Sequence, residues 1–84
     1  MEFEVKSEKK NELEFELKGE DHTFSSLLVH QLLQDKDVDI AQYNISHPLI
    51  GHPIFYVKTK QGKPRNAVKK ALKEIKKQIS EIKK

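Results

Sequence analysis

The sequence contains no cysteine and no tryptophan, and only three glycines, three prolines and one arginine. Without cysteine, disulfides, thiolate zinc sites and cysteine nucleophiles are excluded. The glycines stand alone at positions 19, 51 and 62, so no glycine-rich loop can cradle a phosphate. Fifteen lysines accompany the lone Arg65, and that weakens any reading that needs bidentate base or phosphate contacts. No apolar run approaches the roughly 18 residues of a membrane span. The N-terminus, Met1-Glu2-Phe3-Glu4, is acidic and alternating, unlike a signal or transit peptide. A soluble, cytoplasmic protein without a membrane partner is expected.

What is present is charge. Of 84 residues, 35% are charged, against a usual share of about 25%, and 36% are hydrophobic. This is the size of one domain, residues 1–84, with a small core and a surface that suits support from a partner. The net charge of +3 hides a division: residues 1–46 sum to −6 and residues 47–84 to +9. Such asymmetry marks either a nucleic-acid surface or a charged subunit contact.

Phe3 and Val5, then Leu13, Phe15 and Leu17, alternate with charged residues at the period of a half-buried strand. Glu8-Lys9-Lys10-Asn11 between them reads as a hairpin turn, with Glu12, Glu14 and Glu16 on the watered side of the second strand. Gly19 ends that strand, and Asp21 or Thr23 can cap the helix that follows. Phe24, Leu27, Leu28, Leu32 and Leu33 recur at helical spacing through Leu33, and Val29 widens the stripe. Val38, Ile40, Tyr43 and Ile45 suggest a third strand whose alternation slips, with a bulge expected near Ala41-Gln42. His47 to Pro53 is a loop. Ile54 to Thr59, apolar on both faces, is a fourth and central strand. Pro64 opens a last helix in which Val68, Leu72, Ile75, Ile79 and Ile82 form a heptad seam, broadened by Ala67 and Ala71. The order β-β-α-β-β-α predicts an α+β two-layer sandwich: a four-stranded, mainly antiparallel sheet with two helices on one face.

Three patterns resemble chemistry. Asp21, His22, Ser25 and Ser26 are triad residue types, yet near-consecutive placement points their side chains apart and no nucleophile elbow is present. Capping by Asp21 and Thr23 is the simpler reading. His47 and His52 flank a loop, with His22 and His30 elsewhere, but no carboxylate adjoins them in the sequence to complete a metal site. Lys69, Lys70, Lys73, Lys76 and Lys77 lie opposite the apolar seam and could neutralise phosphates. They are equally the ordinary solvated face of an amphipathic helix. The two helices carry wider apolar arcs than one sheet needs to cover, and that surplus points to a subunit interface.

Three motifs occur in order. Gly19-Glu20-Asp21-His22-Thr23 precedes a helix, Ala41-x-Tyr43-x-x-x-His47-Pro48-Leu49 is followed by Pro53, and Pro64-x-x-Ala67 opens the last helix. Together they resemble the subunit L family of archaeal DNA-directed RNA polymerase. That family is similar to the eukaryotic small alpha-like subunits and the bacterial alpha dimerisation domain. The resemblance covers nearly the whole chain. It implies a non-catalytic assembly subunit that forms a heterodimer with the larger alpha-like RNA polymerase subunit, designated D in archaea. That pair is the platform for the large catalytic subunits. The resemblance also implies that DNA is reached only through the complex, and that the chain itself holds no cofactor, metal or small-molecule ligand. Carried over by position, the dimer contact falls on Phe24, Leu27, Leu28, Leu32, Ile75, Ile79 and Ile82. Gly19, Asp21, His22, Thr23, His47, Pro48, Pro53 and Pro64 are then structural or touch neighbouring subunits. The chain departs from the family pattern at Phe24, commonly Leu, and Ser26, commonly Asn. A free-standing nucleic-acid-binding module using the lysine face is the alternative.

Overall fold

Alternating apolar residues build two antiparallel hairpins in the chain. The computed structural model describes residues 2–20, 22–45 and 51–82, with side chains described as far as residue 79. Strands β1 (Glu2–Glu8), β2 (Glu12–Lys18), β3 (Val38–Asn44) and β4 (Ile54–Thr59) form one sheet in the order β1-β2-β4-β3, antiparallel at every pairing. Helices α1 (His22–Leu33) and α2 (Pro64–Ile82) supply the second layer, so the architecture is the α+β two-layer sandwich expected. β2 and β4 occupy the centre of the sheet. Their residues Leu13, Phe15, Leu17, Phe55 and Val57 are at most 1% exposed and form the floor of the core.

A row of aromatic rings crosses all four strands beneath the helices. Phe3 stacks on Phe15 at 4.5 Å, Phe15 on Phe55 at 5.0 Å, and Tyr43 tilts against Phe55 at 5.7 Å. Register sets this up, since β2 places Phe15 opposite Phe55 and β3 places Tyr43 opposite Phe55. Leu28 and Leu32 of α1, with Val68, Ala71 and Ile75 of α2, close the core from above.

The slip in β3 lies elsewhere than expected. The register shifts between Val38 and Ile40, not near Ala41-Gln42. The irregularity at Asp39 turns Ile40 outward at 37% exposure and leaves Val38, Ala41 and Tyr43 toward the core. A second shift falls between Val5 and Ser7, on edge strand β1, where such irregularities discourage further strand pairing.

The turns follow local chemistry. Lys9 N–H donates to Glu12 C=O at 2.8 Å and closes the β1–β2 hairpin. After α1, Asp35 Oδ1 accepts from Asp37 N–H at 2.9 Å, which starts the return into β3. Gly19 and Gly62 take positive φ, +86° and +77°, and an added Cβ at either would meet open space. Only the backbone therefore resists a side chain there. Gly19→Ala should lower unfolding free energy by about 1–2 kcal/mol, the cost of a left-handed L-residue. Urea denaturation checks this, and no change would show that the turn relaxes freely.

The open face of the sheet is more than a watered side. Glu16 pairs with Lys6 at 3.5 Å, and the Tyr56 hydroxyl donates to Glu12, while Glu14 is exposed. That hydrogen bond to the Glu12 carboxylate raises the Tyr56 phenol pKa above its ordinary value.

Candidate subunit interface

The residues that open α1 are placed by the turn at Gly19. Gly19 N–H donates to His52 Nδ1 at 3.4 Å, and Leu17 N–H to Pro53 C=O at 3.0 Å. The two motifs that stand apart in the sequence thus meet at one end of the sheet. Buried Pro64 starts α2, at a position where a missing N–H costs nothing. Asp21, His47 and Pro48 lie outside the described residues. Thr23 stands inside the first turn of α1, since the helix already begins at His22; it is not the residue before it, as a cap would be.

Of the Asp-His-Ser cluster, His22 and Ser26 both turn to one tyrosine. Ser25 is fully buried, whereas Ser26 Oγ shares a hydrogen bond with the Tyr43 hydroxyl at 3.0 Å. His22 Nδ1 hydrogen-bonds the same hydroxyl, and its ring lies 5.5 Å from that of Tyr43. His22 and Ser26 are one helical turn apart and both reach toward β3, so the cluster fastens α1 to the sheet. Sequence pattern alone does not join Tyr43 to this cluster. Its place opposite Phe55 depends on the bulge at Asp39, which spacing does not locate. No group of three or more metal-ligating side chains occurs among the described residues.

The seven apolar positions expected at a contact divide into two sets. Leu28 and Leu32 are 0% exposed and Ile75 only 2%, so these three belong to the chain's own core. Leu27 and Ile79 stand at 38% and 42%, and Phe24 is half-buried. The Ile82 side chain lies outside the described residues. Leu72 of the heptad seam, half-buried, joins the accessible set although it is not among those seven. It borders two adjoining grooves. One, of about 320 Å³, is lined by Phe3, Leu17, Val68 and Leu72; the other, of about 280 Å³, by Phe24, Leu72, Ile75 and Ile79. The result is a continuous apolar strip from edge strand β1 across α2 to the start of α1. Among the described residues it is an open surface rather than an enclosed cavity, and its polar lining is a row of cations, Arg65, Lys69 and Lys76, so it suits a protein surface better than a small molecule.

Ion pairs tie together the elements that carry this strip. Arg65 donates to Glu8 through Nε at 3.0 Å and Nη2 at 2.8 Å, tying α2 to the β1–β2 hairpin. Lys18 meets Glu4 at 3.0 Å across β1 and β2. The Arg65 guanidinium holds the Glu8 carboxyl below its usual range, and Lys18 does the same to Glu4. Each carboxylate therefore contributes stability that is full above the unfolded pKa, about 4.3. It is lost as pH falls through the lower folded value. The thermal midpoint should drop on acidification below about pH 4, and R65Q should drop less steeply than wild type. Parallel pH profiles for the two would contradict the tie. Both pairs are exposed, so the effect is small.

A two-layer α+β domain whose paired helices leave an apolar strip uncovered has the mark of a protein-interaction surface. The family model described as the RNA polymerase Rpb3/Rpb11 dimerisation domain matches residues 12–84. The DNA-directed RNA polymerase subunit Rpo11 of Archaeoglobus fulgidus is 52% identical over 59 residues, which cover 70% of this chain and 69% of that protein. Rpo11 of Methanosarcina barkeri is 40% identical over 82 residues, 98% of this chain and 89% of the relative. The crystal structure of DNA-directed RNA polymerase subunit L from Thermoplasma acidophilum superposes with a TM-score of 0.86 at 37% identity, covering 96% of this chain and 80% of that one. The chain belongs to the RNA polymerase Rpb3/Rpb11 dimerisation family, in its archaeal small-subunit branch. The class of fold and the family agree with the resemblance carried by the three sequence motifs.

Proposed function

We propose that residues 1–84 act as a single dimerisation domain that pairs with the larger alpha-like subunit of archaeal RNA polymerase. The heterodimer is the platform on which the large catalytic subunits assemble, and transcription chemistry resides in those subunits. This chain contributes no catalytic group, metal or cofactor, and it meets DNA only through the complex, in the cytoplasm. One observation supports the reading above others: the apolar strip stays open in a chain whose family is described by dimerisation. Phe24, Leu27, Leu72 and Ile79 are the contact residues, with Ile82 continuing their seam. Leu28, Leu32 and Ile75 act beneath them by holding the helices on the sheet. Burial against a partner yields about 25 cal/mol per Å² of apolar area, before the costs of association.

Co-expression with the larger alpha-like subunit, followed by size exclusion at about 1 M salt, tests the proposal. Salt screens exposed charges to about 3 Å there, so an apolar heterodimer persists and co-elutes. The competing reading uses Lys69, Lys70, Lys73, Lys76 and Lys77, all exposed, of which only Lys70 reaches an acid, Asp35 at 3.8 Å, among the described residues. Absence of co-elution, together with a shift of nucleic acid by the lone chain at low salt, would favour that module instead.

A further inference from the structure

The apolar strip has a cationic border. Arg65, Lys69 and Lys76 line its grooves along one side of α2, beside Leu72, so Lys69 and Lys76 flank the apolar seam rather than lie opposite it as the sequence suggested. Arg65 is neutralised by Glu8. Lys69 and Lys76 are exposed, and among the described residues neither forms an ion pair. Two uncompensated positive charges therefore stand at the edge of a surface that association would desolvate.

We propose that this border selects a partner whose facing helix carries acidic side chains beside its apolar stripe, and that it opposes pairing between two copies of this chain. The inference rests on the dimerisation reading and adds the chemistry of the partner. A two-fold pairing of identical chains sets the same patch against itself, so Lys69 and Lys76 of both copies would be brought into one interface with no acidic counterpart among the described residues of the patch. Like charges brought together beside an apolar, water-excluding surface repel more strongly than in bulk water. Carboxylates on a different chain reverse the sign at those positions while leaving the apolar contact unchanged. Attraction and repulsion then act together to distinguish the heterodimer from the homodimer. The lysine stems are also long enough to lie over the groove walls while their ammonium groups reach the partner.

The test measures association of the full chain with its organism's own larger alpha-like subunit at about 50 mM and about 0.5 M salt, conditions that bracket strong and weak screening. Wild type should associate about tenfold faster at the lower salt. K69E/K76E should be slower by a similar factor at low salt and gain speed as salt rises. K73E/K77E, which makes the same change in net charge on exposed positions away from the grooves, should stay close to wild type. Circular dichroism of each variant confirms that these exposed substitutions leave the fold intact. The lone chain should self-associate less at low salt than at high salt, and K69Q/K76Q should increase self-association at low salt. If the complex forms but K69E/K76E and K73E/K77E behave alike, the border does not select the partner, and the dimerisation reading stands without it. If wild type forms no complex at either salt, both readings fall.

Discussion

Phe55→Ala should remove about 3–5 kcal/mol from the unfolding free energy, the range for truncating a buried phenylalanine. Small domains hold about 5–15 kcal/mol in all, so this one change brings the chain close to unfolding. Phe55 is 0% exposed on central strand β4, stacked on Phe15 and in contact with Tyr43. Its loss breaks the aromatic row at the point where both hairpins are joined, and neither neighbour can move in without disturbing its own strand. Phe3→Ala in the same row should cost much less, because Phe3 is 40% exposed at the sheet edge. Urea denaturation of the two variants measures the contrast. Equal losses would mean that the row is not organised around the β2–β4 centre.

Ile79→Glu and Leu27→Glu should each sharply weaken pairing with the larger subunit while leaving the isolated fold almost unchanged. Both side chains already face water in the free chain, at 42% and 38% exposure, so a carboxylate there costs the monomer little. In a complex the same carboxylate would be buried against apolar surface. Losing the apolar contact alone is worth about 1.5–3 kcal/mol, and desolvating the charge adds to it. Affinity should fall by about 100-fold or more. Leu33→Glu provides the comparison. Leu33 is more exposed than either, at 53%, but lies about 120° round α1 from Leu27. Binding should survive it. Titration calorimetry with the partner, alongside the thermal midpoint of each variant, separates loss of pairing from loss of fold.

Element order and sheet face were legible in the sequence because period-two and helical patterns are local. Leu13, Phe15 and Leu17 point one way in any antiparallel pairing, and they are the floor of the core. The bulge in β3 was not legible. Val38 and Ile40 share a phase in the sequence, and Tyr43 opposes it, so the slip could fall at any intervening residue. Pairing with β4 across Lys58 and Thr59 places it at Asp39. The interface was half-legible for a related reason. An apolar arc on α1 includes Leu27 and Leu28 alike, and only the docking of α1 against β3 and α2 decides which of them the chain covers itself. Leu28 goes inward, and Leu27 remains at the surface. The meeting of Gly19 with His52, 33 residues away, has no local signature at all.

The absence of cysteine from the sequence makes one measurement especially direct. Single thiols introduced by L27C, I79C and Q42C would each report solvent access at one point by their rate of alkylation. Ile79 lines the apolar strip and Leu27 is exposed on α1 one turn from Phe24, which also lines it, whereas Gln42 is exposed on β3. With the larger alpha-like subunit at saturation, the thiols at positions 27 and 79 should be strongly protected, and the thiol at position 42 not at all. Unchanged alkylation at 27 and 79 in a complex that has demonstrably formed would contradict pairing through this strip.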